Sequence, residues 1–558
     1  MSTSTAELRQ KLSGSMPLNR NLGLRIACWT VALTLGAAQA WATRFTMNPD
    51  GISYLDIGDA YWRHDWQHAI NAYWSPLYSW ILGFFINVIK PNAYWEYPLV
   101  HLVNFLIYVF ALGCFELFLS ELLLRRDSAI GAFGLSQAQL RMLGYGLFTS
   151  CSLVLIGLNL VSPDLCLSAL IYVASALAVK IQTTISSSKS ITALGVVLGL
   201  SYLTKAVMFP LAFVFLIFAN PWNRGYWYCL RRLLLGLLAF SFVATPFVAM
   251  ISRQKRSITF GDSGKINYEI EVQRGNWFVP TAPVVHPQSP MPGVASGRIF
   301  ESHKAGTYSL WYDPSYWHEG AQPAFSVAKQ LGAFFRGARA YWRIFSGPFW
   351  QLPFSLLAAI LVLLSPTKIF FSRLARSSFL WVPAMAALGL YSLVVVETRY
   401  AAPFLVIVFL AIFFAVTAGK NVTVQEVQTA CTVLLLFLVV VQVLVWTVAL
   451  GRLNTRMYAE AATELLNRGL RPGDQLVVVG QTPEGEGGAF VARLARLAIV
   501  GEVRSPEAYL KANPTEQRRA AKNTGVKTVL IYAPGARNVA GERLDNTNYY
   551  VLSFGHEQ

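Results

Sequence analysis

The sequence predicts a polytopic α-helical membrane protein of about eleven spanning helices, with a small extramembrane α/β unit at its C-terminal end. Three observations predict this. Of 558 residues, 54% are hydrophobic and 13% charged, where an ordinary soluble domain carries about 25% charged residues. Eleven apolar runs approach the roughly 20 residues a helix needs to cross a hydrocarbon core. Lys and Arg fall mainly in alternate short loops between those runs, which is the bias that orients membrane proteins.

The spans read as about 24–45, 98–124, 143–161, 164–180, 190–204, 206–220, 232–252, 345–365, 378–396, 401–419 and 429–451. The first has full spanning length and reads as an uncleaved helix, not a signal peptide. The pair 190–204 and 206–220 is short and could be one broken helix. With residues 1–23 in the cytoplasm, the inside loops carry Arg125, Arg126 and Arg141, then Lys180 and Lys189, then Arg224, Arg231 and Arg232, then Lys368, Arg373 and Arg376, then Lys420. A single crossing over 190–220 would invert the later loops and break the bias. Residues 24–451 thus form the membrane domain, with outer loops 46–98 and 253–344, and the tail 452–558 lies outside.

Within the first outer loop, the apolar stretch Pro76–Ile89 is too short to span comfortably and reads as an interfacial or re-entrant helix. The tail reads as an amphipathic helix near 455–469 followed by strands Gln475–Val479, Gly525–Tyr532 and Tyr549–Phe554. Its Gly485-Glu-Gly-Gly run is not a phosphate-binding fingerprint. There is no internal repeat.

The net charge of +17 does not indicate nucleic-acid binding, because the basic residues are spread through loops and form no clustered face. All six cysteines (Cys28, Cys114, Cys151, Cys166, Cys229 and Cys431) lie in or beside apolar segments. No CxxC or His/Cys cluster occurs, so neither disulfides nor a cysteine zinc site is expected. His286, His303 and His318 are widely spaced and read as surface residues.

Directly after the first span stand Asp50, Tyr54, Asp56, Asp59, Arg63 and Asp65. Four acids lie within sixteen residues. A carboxylate at the membrane exit is partly desolvated, which suits Asp50 to general-base work; a solvated loop with helix-capping Asp residues is the competing reading. Asp164, after Pro163, is either a functional acid or a helix cap. Lys205, between two apolar runs, is a functional hypothesis by default, or a lysine snorkelling to the interface. Glu397-Thr-Arg399-Tyr400 is either part of a site or a turn with an internal ion pair. Together these residues would offer cations to hold a phosphate and a carboxylate to deprotonate a hydroxyl. The second loop is rich in aromatics, including Trp277, Tyr308, Trp311, Tyr312 and Trp317, which suit either sugar stacking or a membrane interface.

With those residues in view, the chain resembles the GT-C glycosyltransferases, in particular the bacterial branch of aminoarabinose and lipid-A-core sugar transferases related to protein O-mannosyltransferases. The matching pieces are Asp50-Gly-Ile-Ser-Tyr54, Ser75-Pro-Leu-Tyr78, Ser162-Pro-Asp164, Leu203-Thr-Lys205 and Glu397-Thr-Arg399-Tyr400, in the family's order over about residues 24–420. The resemblance implies a polyprenyl-phosphate sugar donor, inversion at the anomeric carbon, Asp50 as base, and Lys205 and Arg399 on the carrier phosphate, with Arg63 a further cation candidate. The acceptor would be a lipid, glycan or protein, and the catalytic face would lie outside the cytoplasmic membrane. Many relatives carry Asp-Glu where this chain has Asp50-Gly51, which leaves open how the work divides between Asp50 and Asp56. Some relatives use a divalent cation; the first loop has no DxD pair, and an obligatory metal is not expected. A lipid-linked sugar transporter or flippase is the main alternative, since charges within membranes also mark transport paths; a non-catalytic scaffold is another. Under the enzyme reading Asp50, Asp164, Lys205 and Arg399 should line one outward cavity.

Overall fold

A computed structural model describes residues 18–127, 135–183, 188–273, 305–347, 351–416, 456–480 and 488–511 continuously, and parts of 286–300, 429–440 and 513–553. The expected span 429–451 lies mostly outside the described residues. The helices are α1 (Leu18–Ala42), α2 (Pro49–Trp62), α3 (Pro76–Ile89), α4 (Glu96–Asp127), α5 (Gln137–Ser150), α6 (Asp164–Thr183), α7 (Ser188–Thr204), α8 (Met208–Ala219) and α9 (Tyr226–Lys255). They continue with α10 (Val327–Ser346), α11 (Gln351–Leu364), α12 (Thr367–Arg376), α13 (Ser378–Val394), α14 (Thr398–Ala415), α15 (Met457–Asn467) and α16 (Gly488–Leu494). Among the described residues, six helices are long and apolar enough to cross a membrane, or seven if the sharply bent pair α11–α12 is one span. The count of eleven is therefore not reproduced. The short runs at 190–204 and 206–220 are two helices, of 17 and 12 residues, broken around Lys205.

Local sequence explains the elements that frame the site. Pro49 at the first helical position pre-sets the start of α2. The Asn48 side chain pins the preceding turn to the loop before α6: its Oδ1 accepts from the Val161 backbone N at 2.8 Å. His101 of α4 bridges the same region, its two ring nitrogens each 2.8 Å from a backbone oxygen, of Leu158 and of Thr46. Helices α2 and α3 meet through Gly58 and Gly83. A Cβ on either would fall 2.6 Å from a backbone oxygen of the other helix, so only glycine permits this approach. Gly51 is equally constrained: a Cβ there would lie 2.7 Å from both Met47 Sδ and Val161 Cβ. A side chain after Asp50 would therefore have to displace Met47 or Val161.

The tail carries the three expected strands as β3 (Gln475–Val479), β5 (Thr528–Tyr532) and β7 (Tyr549–Ser553), plus β4 (Ala498–Val503) and β6 (Glu542–Arg543). Two short strands of the second outer loop, β1 (Ser289–Pro290) and β2 (Gly297–Ile299), complete one sheet in the order β1-β2-β4-β3-β5-β7-β6. The central pairs β4-β3-β5 are parallel and the flanking pairs antiparallel. The tail and the long loop thus share one sheet, with Ile299 opposite Gly501.

Candidate functional site

Four elements converge on one cavity of about 290 Å³. Helix α2 contributes Asp50 from its first turn, the start of α6 contributes Asp164, the break between α7 and α8 contributes Lys205, and the first turn of α14 contributes Arg399 and Tyr400. Tyr54 lies one turn beyond Asp50 on the same wall, and the segment around Phe260–Asn267 of the second loop closes another side. All these charged groups stand at helix ends, where the chain leaves its apolar segments.

The charges are paired across elements. Arg399 Nη2 donates to Asp50 Oδ2 at 3.0 Å, and its Nε lies 3.8 Å from Asp164 Oδ2. Lys205 Nζ donates to Asp164 Oδ1 at 2.6 Å and sits 3.4 Å above the Tyr400 ring, a cation–π placement. The Asp164 side chain is 1% exposed, while those of Lys205, Arg399 and Asp50 are 20%, 19% and 17% exposed. Asp164 therefore acts as the buried counter-ion that holds both cations, and the other three groups face the cavity. The second oxygen of Asp50 accepts from Trp311 Nε1 at 3.1 Å. Trp311 belongs to the aromatic group read in the second loop, but nothing in the sequence marked it as a partner of Asp50; its bond spans 261 positions.

Asp56 does not line this cavity. It lies two turns along α2, where its carboxylate accepts from the Thr307 backbone N at 2.7 Å and from Arg493 Nη1 at 2.5 Å. With its oxygens committed there, it is not placed to share the base role with Asp50. Arg63 is exposed beyond the end of α2 and also lies off the cavity. Glu397 is an exposed N-cap residue of α14 that does not line the cavity.

Sequence reasoning missed a buried charge cluster beneath α2. Arg493 of α16, with its side chain 2% exposed, reaches Asp56, Asp59 at 2.8 Å and Glu96 Oε1 at 2.7 Å. Arg496 reaches Asp59 at 2.7 Å and Glu96 Oε2 at 2.6 Å. Burial works against the charge on Asp59, but the two guanidiniums outweigh it and hold its carboxyl below the usual range. The available signal was Arg493 itself, a lone charge inside the apolar run Ala489-Phe-Val-Ala-Arg-Leu. Through this cluster the tail grips the helix that carries Asp50.

Among the described residues, no group of three or more His, Cys, Asp or Glu is placed to hold a metal ion. In the cavity, Arg399 stands between the carboxylates of Asp50 and Asp164.

No family model matches the chain, and no curated protein matches it in sequence. Solved structures do resemble it. ArnT from Cupriavidus metallidurans bound to undecaprenyl phosphate matches with a TM-score of 0.52 and 12% identity, over 95% of this chain and 97% of that one. The apo state of the same ArnT gives 0.49 at 11% identity over 94% and 98%. An apo oligosaccharyltransferase of Archaeoglobus fulgidus gives 0.48 at 12% identity, over 91% of this chain and 69% of that one. At such identity the likeness speaks to fold alone: this chain shares the overall fold of the undecaprenyl-phosphate-bound ArnT, in keeping with the resemblance read from its motifs.

Proposed function

We propose that the chain is a membrane glycosyltransferase that moves a sugar from a polyprenyl-phosphate carrier to an acceptor hydroxyl at the outer face of the cytoplasmic membrane, with inversion. The observation that carries this reading is the convergence of Asp50, Asp164, Lys205 and Arg399 on one cavity. A scaffold has no need to gather them. Charges gathered at helix ends also occur in transport paths, and an assay of sugar transfer separates transfer from transport. The carrier class is supported by the undecaprenyl phosphate bound to ArnT, whose fold this chain has.

In the proposed reaction, Asp50 accepts the proton of the acceptor hydroxyl through the carboxylate that Trp311 orients. The oxygen attacks the anomeric carbon as the bond to the carrier phosphate breaks, and the polyprenyl phosphate leaves with the electron pair. Lys205 and Arg399 neutralise that leaving group where its charge develops. A phosphate entering the cavity competes with Asp50 and Asp164 for these cations. Donor binding thereby loosens Arg399 from Asp50 and leaves Trp311 as the fixed partner of the base. Because Arg399 already stands between the two carboxylates, we expect no obligatory metal, so activity should survive chelation.

The test is sugar transfer by the purified protein in lipid, from labelled polyprenyl-phosphate sugars to an envelope acceptor fraction. Asp50→Asn should lower the rate by about 10²- to 10⁴-fold, the usual contribution of a general base. Transfer that survives in the variant would move the base elsewhere. Donor that crosses the bilayer without transfer would support the flippase alternative.

A further inference from the structure

Helix α10 presents three distinct faces. Gln330, Ala333, Gly337, Tyr341 and Ile344, spaced three or four apart, form a face packed on α13. Gln330 donates to the Leu393 carbonyl at 2.8 Å and Tyr341 to the Leu388 carbonyl at 2.7 Å. A Cβ on Gly337 would lie 3.0 Å from the Ser392 oxygen, so the helices touch backbone to backbone. The second face is apolar and open: Val327, Leu331, Phe335 and Trp342 are 63%, 51%, 67% and 71% exposed. The third carries Lys329, Arg336, Arg339 and Arg343, all exposed. There is no Asp or Glu anywhere in Val327–Ser346.

A helix with one protein face needs only one more partner. Here two adjacent faces are left open, one wholly apolar and one wholly cationic. That combination fits a helix lying in the plane of a leaflet, with aromatic and aliphatic side chains among the acyl chains and arginines at the level of the lipid phosphates. A protein partner of the same area would have to offer an apolar strip beside an acidic one. Phe345, in the last turn of α10, packs on Phe409 of α14, a helix long and apolar enough to cross a membrane. We propose that α10 is an interfacial anchor that selects anionic phospholipid headgroups, through Arg339 and Arg343 above all. Arg336 is partly committed, because its Nη2 donates to the Glu271 carbonyl at 2.6 Å.

The consequence reaches the cavity. The packed face of α10 grips the last turns of α13, and Leu390, Tyr391 and Val394 of those turns line the cavity. Anchoring α10 at the phosphate level therefore fixes the height of the cavity against the headgroups, where a lipid-linked phosphate would present itself. The anchor rests on the membrane reading of the chain and not on the transfer reaction.

The full-length protein, reconstituted in vesicles, tests this without any sugar donor. Brominated phosphatidylglycerol and brominated phosphatidylcholine are compared as quenchers of the fluorescence that Trp342→Phe removes. Trp342 should be quenched by both lipids, and more strongly by phosphatidylglycerol. Each cation near such a surface is worth about fivefold in local anionic lipid, the equivalent of about 1 kcal/mol. Arg339→Gln with Arg343→Gln should abolish the preference while leaving the quenching. Arg339→Lys with Arg343→Lys should restore it, which separates charge from folding. Absence of quenching by either lipid would overturn the proposal, placing the apolar face against protein or water. Equal quenching by the two lipids in the unmodified protein would overturn it as well. Because no transfer is measured, a failed transfer assay and a failed anchor are separate results.

Discussion

Replacing Arg493 with Met removes the centre of the charge cluster while keeping most of the side chain's length. The protein holds three carboxylates, Asp56, Asp59 and Glu96, against Arg493 and Arg496. The variant would leave Asp59 and Glu96 on Arg496 alone and Asp56 without its cation, with Glu96 1% and Asp59 8% exposed. Removing one member of a buried ion cluster costs about 3–5 kcal/mol, because the abandoned charges stay desolvated. That is a large fraction of the 5–15 kcal/mol that typically separates folded from unfolded states. Arg496 is 34% exposed, so Arg496→Met should cost much less, nearer the 1 kcal/mol of a solvated pair. Denaturant titration in detergent, with proteolytic release of the tail as a second readout, would measure both. Adding Asp56→Asn to Arg493→Met restores the original excess of one negative charge and should recover part of the loss, a coupling that a double-mutant cycle resolves. A loss below about 1 kcal/mol for Arg493→Met would refute this reasoning, because it would mean that water reaches the cluster and screens it.

Gly51→Ala should destabilise the protein by about 1–3 kcal/mol through overpacking, since its Cβ meets Met47 and Val161 at 2.7 Å; pairing it with Val161→Ala should recover part of that in the same titration. The carboxyl of Asp59 is held below its ordinary value by Arg493 and Arg496. Its contribution to stability is therefore present above the unfolded-state value near 3.9 and lost as pH falls through the lower folded-state value. Asp59→Asn should flatten stability against pH in that acid window, and an unchanged acid limb would count against the ion cluster. Arg399→Lys keeps a charge for the carrier phosphate but loses the fork that reaches both Asp50 and Asp164. Its kcat should fall by more than its donor KM rises, because the leaving phosphate loses the fork where its charge develops, and a rise in KM alone would count against Arg399 acting on the leaving group.

Much of this was legible along the chain because local pattern carries it. Apolar runs of spanning length mark most of the long helices, and alternation marks β3, β5 and β7. The ordered short motifs named Asp50, Asp164, Lys205 and Arg399, all of which line the cavity. What stayed hidden depends on contacts between distant segments. The strands of the second loop join the tail by pairing Gly297–Ile299 with Gly501–Val503, and no local periodicity encodes a partner two hundred residues away. Asp56 looked interchangeable with Asp50 because both follow the first span. Only the arrival of Arg493 from the tail distinguishes them. The same holds for Trp311, which is one aromatic among many until the fold brings its indole to the carboxylate of Asp50.

The pairing of every charge in the cavity bears on why its cations survive in so apolar a setting. An unpaired Lys or Arg at the edge of a membrane would carry a desolvation cost throughout the resting state. Asp164 offsets that cost for Lys205 and, more loosely, for Arg399, while itself remaining almost fully buried. Because it sits behind the cations and not in front of them, it neutralises them without closing the side that faces the cavity. Asp50 stands in front, on a helix whose far end is clamped by Arg493 and Arg496. In the proposed reaction an arriving phosphate would therefore displace Asp50 from Arg399 without displacing the helix. Under the proposed reaction the two carboxylates take opposite tasks because of depth: the buried one would hold the anion site ready, and the more exposed one would be released by the anion to act.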